Sequence, residues 1–387
     1  MNEKTKEPKE PVLDSHLKGF TRIGFTTVRD ISPYDSEMTR ESPRYLRTST
    51  AAAMTLGFIP GRFYRDAKLY CINLLLTYSG GCRANCAFCG LSRDRAAEDE
   101  NESFIRVDWP IYKTDELIEA MNKVPHARRV CISMITHKRA YEDLCTVVEK
   151  IKAKNINNIL ISALITPTLM DEEKYRRLNE IGVDNIGIAV DASTPEIFDK
   201  LRGSGVKGPH NWDKYWQDVK TAVAIFGKNN ATIHLITGVG ETEKDLIEAI
   251  QKSVNIGADP HNFSFFAEKG SAMENHPQPP IGQYRRIQLA RYLIQYGYSD
   301  IGKMKFNEKE QVIDFGVDDS ELKKIIESGE PFVTSGCPDR EGNIACNRPY
   351  SNCTPKQAME GELRNFPFHP DEGDIEIVKK QIKKYLV

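Results

Sequence analysis

No stretch of this chain approaches the roughly 18 uninterrupted apolar residues of a membrane helix. Its start, Met-Asn-Glu-Lys-Thr-Lys-Glu-Pro-Lys-Glu-Pro, has no apolar segment of the kind a secretory signal carries. The expectation is a cytoplasmic protein with no membrane partner. An excess of charge of one sign is also missing. The 53 Lys and Arg against 55 Asp and Glu leave a net charge of −2, which gives no overall electrostatic basis for a nucleic-acid partner. There is no solenoid-length repeat and no low-complexity tract. Neither a Ser/His/Asp constellation nor a paired-carboxylate motif is visible, so chemistry that depends on general acid–base residues is not indicated. Cysteine is not scarce. Nine in 387 residues, an odd number without a secretion signal, point to metal or redox use rather than a disulfide framework.

Residues 1–40 are charged and interrupted by proline, and are expected to be poorly ordered or draped over the surface. Residues 41–68 read as a helical extension, with a helix predicted over 42–54 and ended near Gly57. Beyond it, apolar β-branched runs at 69–77, 129–134, 158–162, 185–190, 232–236 and 262–266 alternate with amphipathic stretches at 115–122, 141–153, 171–181, 214–226 and 243–253. Strands alternating with helices predict an α/β fold of parallel βαβ units, a (β/α) TIM-type barrel, partial or full, over 69–330. A helix at 283–296, a short strand at 304–307 and a helix at 321–327 would carry six units toward eight. Residues 331–387 read as a cysteine-bearing loop and a terminal helix.

Within the barrel's first unit lies Gly-Gly-Cys82-Arg-Ala-Asn-Cys86-Ala-Phe88-Cys89-Gly. Directly after a predicted first strand, it falls at the carboxyl end of the barrel, where barrel enzymes carry their active sites. Three thiolates on a glycine-flanked loop suit three irons of a 4Fe–4S cubane, a cluster that ordinarily takes four cysteines. The fourth iron stays open to a chelating cofactor such as S-adenosylmethionine, whose cleavage gives a 5′-deoxyadenosyl radical. A zinc site or simple packing is the alternative, but zinc needs a fourth ligand at short spacing and none lies nearby.

The Cys-x3-Cys-x2-Cys run with Phe88 before its last cysteine resembles the signature of the radical S-adenosylmethionine superfamily. The resemblance implies that the cofactor's amino and carboxylate groups chelate the open iron and that the backbone around Phe88 touches adenine. It also implies ribose contact by Asp191 at the end of the fourth strand, and adenine contact by the fifth-strand element Ile-Thr-Gly238-Val-Gly-Glu241. There His234 stands where the family usually has glycine. The Gly-Gly-Glu element for the cofactor's amino group is missing from Cys-Ile-Ser133-Met-Ile-Thr136-His, and Ser133 or Thr136 is its substitute. Plainer readings stand beside these. Asp191 belongs to a loop whose Ser193 or Thr194 caps the next helix, and Glu241 is an acid near a helix start. His137 and His234 are satisfied polar groups, and Cys131 and Cys145 are buried small hydrophobes.

A second group, Cys337, Cys346 and Cys353, sits on a segment rich in Gly, Pro, Asn and Ser. It reads as the ligand loop of an auxiliary 4Fe–4S cluster, against zinc or unpaired thiols. The fourth ligand is open among Ser335, Ser351, Arg348 and the more distant Cys71. The blocks at 71–78, 104–110, 284–294 and 334–338 resemble biotin-synthase-related proteins, and within them the two-protein type of lipoyl synthase is most similar. That resemblance implies a sulfurtransferase that places sulfur on an octanoyl chain held by a lipoyl-carrier protein domain. It implies a second radical S-adenosylmethionine protein as partner and an electron donor such as ferredoxin or flavodoxin. The chain departs from the Cys-Pro-x-Cys-Asn-Arg-Pro pattern of that group: residues 339–345 are inserted before Cys346, and Cys353 is added. Alternatives are another biotin-synthase-like C–H functionalisation, or a cluster-bearing electron-transfer subunit without radical chemistry.

Overall fold

Six parallel strands form the frame of the computed structural model: β2 (Cys71–Leu76), β4 (Arg129–Ser133), β5 (Leu160–Ile165), β6 (Asn185–Asp191), β7 (Ala231–Thr237) and β8 (Asp259–Ser264). The structure describes residues 40–95, 103–104, 107–154, 157–349, 355–360 and 362–385. Residues 1–39 and Cys353 therefore lie outside the described residues. Among the described residues, no helix is long and apolar enough to cross a membrane.

Each strand alternates faces, because successive side chains point to opposite sides of a sheet. Ile72, Leu74 and Leu76, like Val130 and Ile132 or Ile186, Ile188 and Val190, are buried in the core shared with the helices. The other parity, Asn73, Cys131, Ser133, Ser162, Gly187, Thr232 and His234, faces the barrel interior and lines a cavity there. Barrels are usually filled by branched apolar layers. Here small and polar residues hold the interior open.

The helices follow their sequence signals. Thr194, Asn211 and Thr242 cap the helices Pro195–Arg202, Trp212–Phe226 and Glu243–Ile256, the last through a capping box with Asp245.

Two expectations fail at the edges. The predicted helix over 42–54 is strand β1 (Tyr45–Thr48) followed by a six-residue helix, Thr50–Thr55, capped by Ser49. Leu46 and Thr48 are buried while Tyr45 and Arg47 are less so, a period of two that suits a strand. β1 pairs antiparallel with β2 and with β3 (Ile111–Lys113), which ends the sheet on that side. The seventh and eighth units do not form either. Residues 305–306 pair only with 312–314, outside the main sheet, and the helix Ile281–Gln295 packs on the terminal helix Glu372–Ile382 instead of leading to another parallel strand. The barrel is partial, with six parallel strands.

That terminal packing is locked by a buried ion pair. The Arg286 guanidinium donates to Glu243 at 2.5–3.1 Å and to the carbonyls of Ile382 and Lys384 at 2.9 and 2.8 Å. Both side chains are almost fully buried. Arg286→Met would strand the Glu243 charge, and a loss of about 3–5 kcal/mol is expected in urea denaturation. A loss below about 1 kcal/mol would show the pair to be no more than a surface-grade contact.

Candidate functional site

The turn after β2 positions the first cysteine group. Gly81, at φ +60°, donates its N–H to the Tyr78 carbonyl and reverses the chain. Arg83 and Ala87 then donate to the carbonyls of Thr136 and Leu201, which ties the loop to the ends of the neighbouring strand and helix. Cys82, Cys86 and Cys89 line one cavity of about 220 Å³ at the carboxyl end of the barrel, with Thr136, Asp191, Arg202, His234 and Phe265 on its wall. Backbone N–H groups already point at two of the sulfurs: Thr136 to Cys82 and Leu91 to Cys89, each at 3.4 Å. Phe88 packs with Ala87, Leu201, Val239 and Phe265 at the cavity's edge.

Asp191 reaches this cavity but is not free. At φ +65° it turns its carboxylate onto Arg202, with Oδ2 2.9 Å from Nη1. Arg202 also donates to the carbonyls of Ala189 and Val190 and to the Tyr215 hydroxyl. Its Nε has no hydrogen-bond partner among the described residues, although it is buried. Burial pushes the Asp191 carboxyl up, and the Arg202 charge opposes that rise. Burial likewise pushes the Cys86 and Cys89 thiols up, with Arg202 pulling Cys86 back toward the thiolate. The neighbouring His210 is held neutral, its pKa pushed down to about 2 by burial and by Arg202. Thr194 performs the helix capping expected of this loop, with the Ile197 N–H 3.3 Å from Oγ1.

Three other expected cofactor contacts lie elsewhere. Ser133 lines the second, amino-end cavity, while Thr136 lines the first. Gly238 and Glu241 are absent from the first cavity's wall. Gly238 has φ +97°, and a Cβ there would lie 2.6 Å from Pro279, so glycine is a packing requirement. Glu241 turns back on its own loop and accepts the N–H groups of Gly238 and Val239 at 2.5 and 2.8 Å. Burial outweighs these bonds and raises its pKa to about 7. A carboxyl raised from about 4.5 to about 7 by folding stabilises the fold below pH 4.5, and that stability is lost as pH rises through 7. Wild-type stability is therefore expected to fall by up to roughly 3 kcal/mol between pH 5 and 8 on this group's account. The check is Glu241→Ala, whose urea midpoint should lack that pH-dependent component.

Cys337 and Cys346, the described members of the second cysteine group, lie at the amino end of the barrel. The inserted residues 339–345 form a tight hairpin. Asp339 accepts the N–H groups of Glu341 and Asn343 at 2.9 Å each, and Pro338 bridges Ile344. The Cys346 N–H donates to the Cys337 carbonyl at 3.1 Å, so the wide sequence spacing closes into adjacency. Arg129 fastens the hairpin to the sheet, binding Asp184 at 2.8 and 2.9 Å and the Pro338 carbonyl at 2.7 and 2.9 Å.

Cys337 and Cys346 meet Cys71 and Cys131 there, four thiols in one contact group. Cys131, expected to be a buried hydrophobe, faces the second cavity instead, and Cys71, the distant candidate, stands beside Cys346. Register explains it: Cys71 opposes Arg129 and Asn73 opposes Cys131, so the two cysteines share the inward parity on neighbouring strands. Cys145 belongs to the helix Ala140–Lys154 and to neither cavity. His137 stacks on Tyr78 at 3.8 Å. Leu164, His234 and Arg348 line both cavities and form a wall common to the two cysteine groups.

The donor sets fit iron–sulfur clusters by chemistry: each is soft thiolate, and each stands beside a buried guanidinium. Among the described residues no three His, Cys, Asp or Glu side chains converge on a point that would hold one metal ion.

Residues 76–252 match the family described as the Radical SAM superfamily. Biotin synthase of Aquifex aeolicus (strain VF5) is 22% identical over 236 residues, covering 59% of this chain and 65% of that protein. A biotin synthase of Prochlorococcus marinus is 24% identical over 241 residues, covering 59% and 66%. The chain thus spans just under two thirds of the length of these relatives. Among solved structures, methylornithine synthase aligns with a TM-score of 0.44 at 15% identity, covering 64% of this chain and 66% of that one.

Proposed function

We propose that this chain, whose residues 76–252 form a radical SAM domain related to that of biotin synthases, is a sulfur-inserting enzyme and a component of a two-protein lipoyl synthase. Its substrate is an octanoyl chain on a lipoyl-carrier protein domain. Its partners are a second radical S-adenosylmethionine protein and an electron donor such as ferredoxin or flavodoxin. The observation that carries this reading is the wall of Leu164, His234 and Arg348 shared by two cysteine-lined cavities in one barrel. An insertion that joins carbon to sulfur needs the site of radical formation and the source of sulfur within reach of one substrate carbon.

Cys82, Cys86 and Cys89 would hold the first cluster, and Cys337 and Cys346 belong to the loop of the second. When bound, the first supplies the electron that cleaves S-adenosylmethionine and the second supplies sulfide. The chain's own residues set the stage. The Thr136 and Leu91 N–H groups and the Arg202 cation stabilise charge on the first set of thiolates. Phe88, Ile236 and Phe265 give the cofactor's adenine an apolar edge. Asp191, held by Arg202, offers its outer oxygen to a hydroxyl-bearing ligand. An unreactive methylene has no acidic proton, so exclusion of water and placement of the carbon replace general acid–base groups.

The test is a product assay. Reduced, cluster-loaded protein with its partner is expected to convert an octanoylated carrier to the sulfur-bearing form, detected by intact-protein mass. Cleavage of S-adenosylmethionine without any sulfur on the carrier would show the substrate to be wrong.

A further inference from the structure

The geometry points to Cys71, Cys131, Cys337 and Cys346 as the protein ligands of the second cluster, four thiols for the four irons of a cubane, so that Cys353 is not required. The inference rests on the proposed function only in expecting that cluster, and not on the substrate.

Three separate segments deliver these thiols to one place: the start of β2, the middle of β4 and the 337–346 hairpin. Such convergence is costly if it serves packing alone. Cys71, Cys337 and Cys346 pack on one another with Cys131 against them, and the Cys337 thiol donates to Asn185 Oδ1 at 3.2 Å. Four buried or half-buried thiols gathered from three segments are the soft donor set that an iron–sulfide core takes.

The surroundings leave room for it. Cys131, Cys337 and Cys346 line a cavity with Asn73, Ser133, Ser162, Gly187 and Thr232, and Cys71 packs against Cys346 just behind its wall. At Gly187 a Cβ would press on the Leu164 side chain at 3.0 Å. Charge is balanced as well. Four thiolates about an iron–sulfide core leave net negative charge, and Arg348 lies on the cavity wall with its guanidinium 4.1 Å from the Phe263 ring. Its buried Nε has no hydrogen-bond partner among the described residues. Arg129, the other nearby cation, is already neutralised by Asp184.

The oxygen candidate among the described residues is otherwise engaged. Ser335 Oγ accepts the Asn262 N–H at 3.0 Å, which fixes the approach of the hairpin to β8. An all-thiolate set makes the second cluster coordinatively complete, unlike the first, which offers only three cysteines.

The experiment uses the full chain with Cys82, Cys86 and Cys89 all replaced by alanine, so that only the second cluster is loaded. Iron and acid-labile sulfide are measured after reconstitution. About four irons are expected in this background, under one after a further Cys71→Ser, Cys131→Ser, Cys337→Ser or Cys346→Ser, and about four still after Cys353→Ser or Cys145→Ser. Loss of iron in Cys353→Ser, or full retention in both Cys71→Ser and Cys131→Ser, would overturn the assignment. Iron-edge X-ray absorption on the background protein, with no serine change that could impair folding, should show sulfur alone in the first shell. An oxygen or nitrogen scatterer would count against the four-cysteine set. A protein that passes both tests yet leaves the octanoyl carrier unmodified would refute the proposed substrate and leave this site standing.

Discussion

Cys86→Ala is expected to abolish cleavage of S-adenosylmethionine and to halve the iron of the reconstituted chain, from about eight to about four per molecule. Of the three loop cysteines, Cys86 is the most buried. No other described cysteine lines the first cavity, so none of them can take its place. With two thiolates left, a cubane would have two unanchored irons and no defined corner for a chelating cofactor. The measurement is iron analysis paired with electron paramagnetic resonance of the reduced protein, with and without S-adenosylmethionine. In the wild type, adding the cofactor should perturb the signal, and in the variant the perturbation should vanish. A variant that keeps about eight irons and a cofactor-sensitive signal would remove this loop from the chemistry.

Arg202→Leu carries the second large effect. It deletes a buried cation that neutralises Asp191 at 2.9 Å, donates to the strand-end carbonyls of Ala189 and Val190, and stands beside the Cys86 sulfur. Breaking one side of a buried pair costs about 3–5 kcal/mol, because the remaining charge is left in a poorly solvated site. Asp191 should relieve part of that by taking up a proton, since burial already raises its pKa and Arg202 is the influence holding it down. The folded-state pKa then lies further above the unfolded one, so the variant's deficit relative to wild type grows as pH rises through the raised value. Urea denaturation at pH 5 and pH 8 checks the sign, and a larger deficit at pH 5 would contradict it. The same deletion removes positive charge from the first cluster's thiolates, so its reduction potential is expected to become more negative. Arg202→Lys keeps the charge but not the planar fork, and should restore the potential better than the stability. An unchanged potential in Arg202→Leu would confine the residue to a structural role.

The six parallel strands were readable because their apolar β-branched runs are short, separated by amphipathic helices and punctuated by capping residues. Their ends were read less well. β5 and β8 run Leu160–Ile165 and Asp259–Ser264, displaced from the apolar runs at 158–162 and 262–266, since neighbour register rather than hydrophobicity fixes where pairing begins and stops. β1 was hidden because a four-residue strand followed closely by three helix-forming alanines, Ala51, Ala52 and Ala53, falls in a window of helical propensity that pairing with β2 overrides.

In the site, Cys82, Cys86 and Cys89 announce themselves by spacing on one loop, and that spacing survives any arrangement of the rest of the chain. Asp191 is also where its position after the fourth strand implies, although its partner Arg202 had no sequence signal beyond being a charged residue in the last turn of a helix. Ser133 faces the second cavity because strand parity turns it there. Local sequence thus determined the first cysteine centre, since three ligands within eight residues need only one turn to meet. The second centre was decided by tertiary structure. Cys71, Cys131, Cys337 and Cys346 are brought together by the register of two strands and by a hairpin docked through Arg129, interactions between segments far apart in the chain that no local pattern encodes.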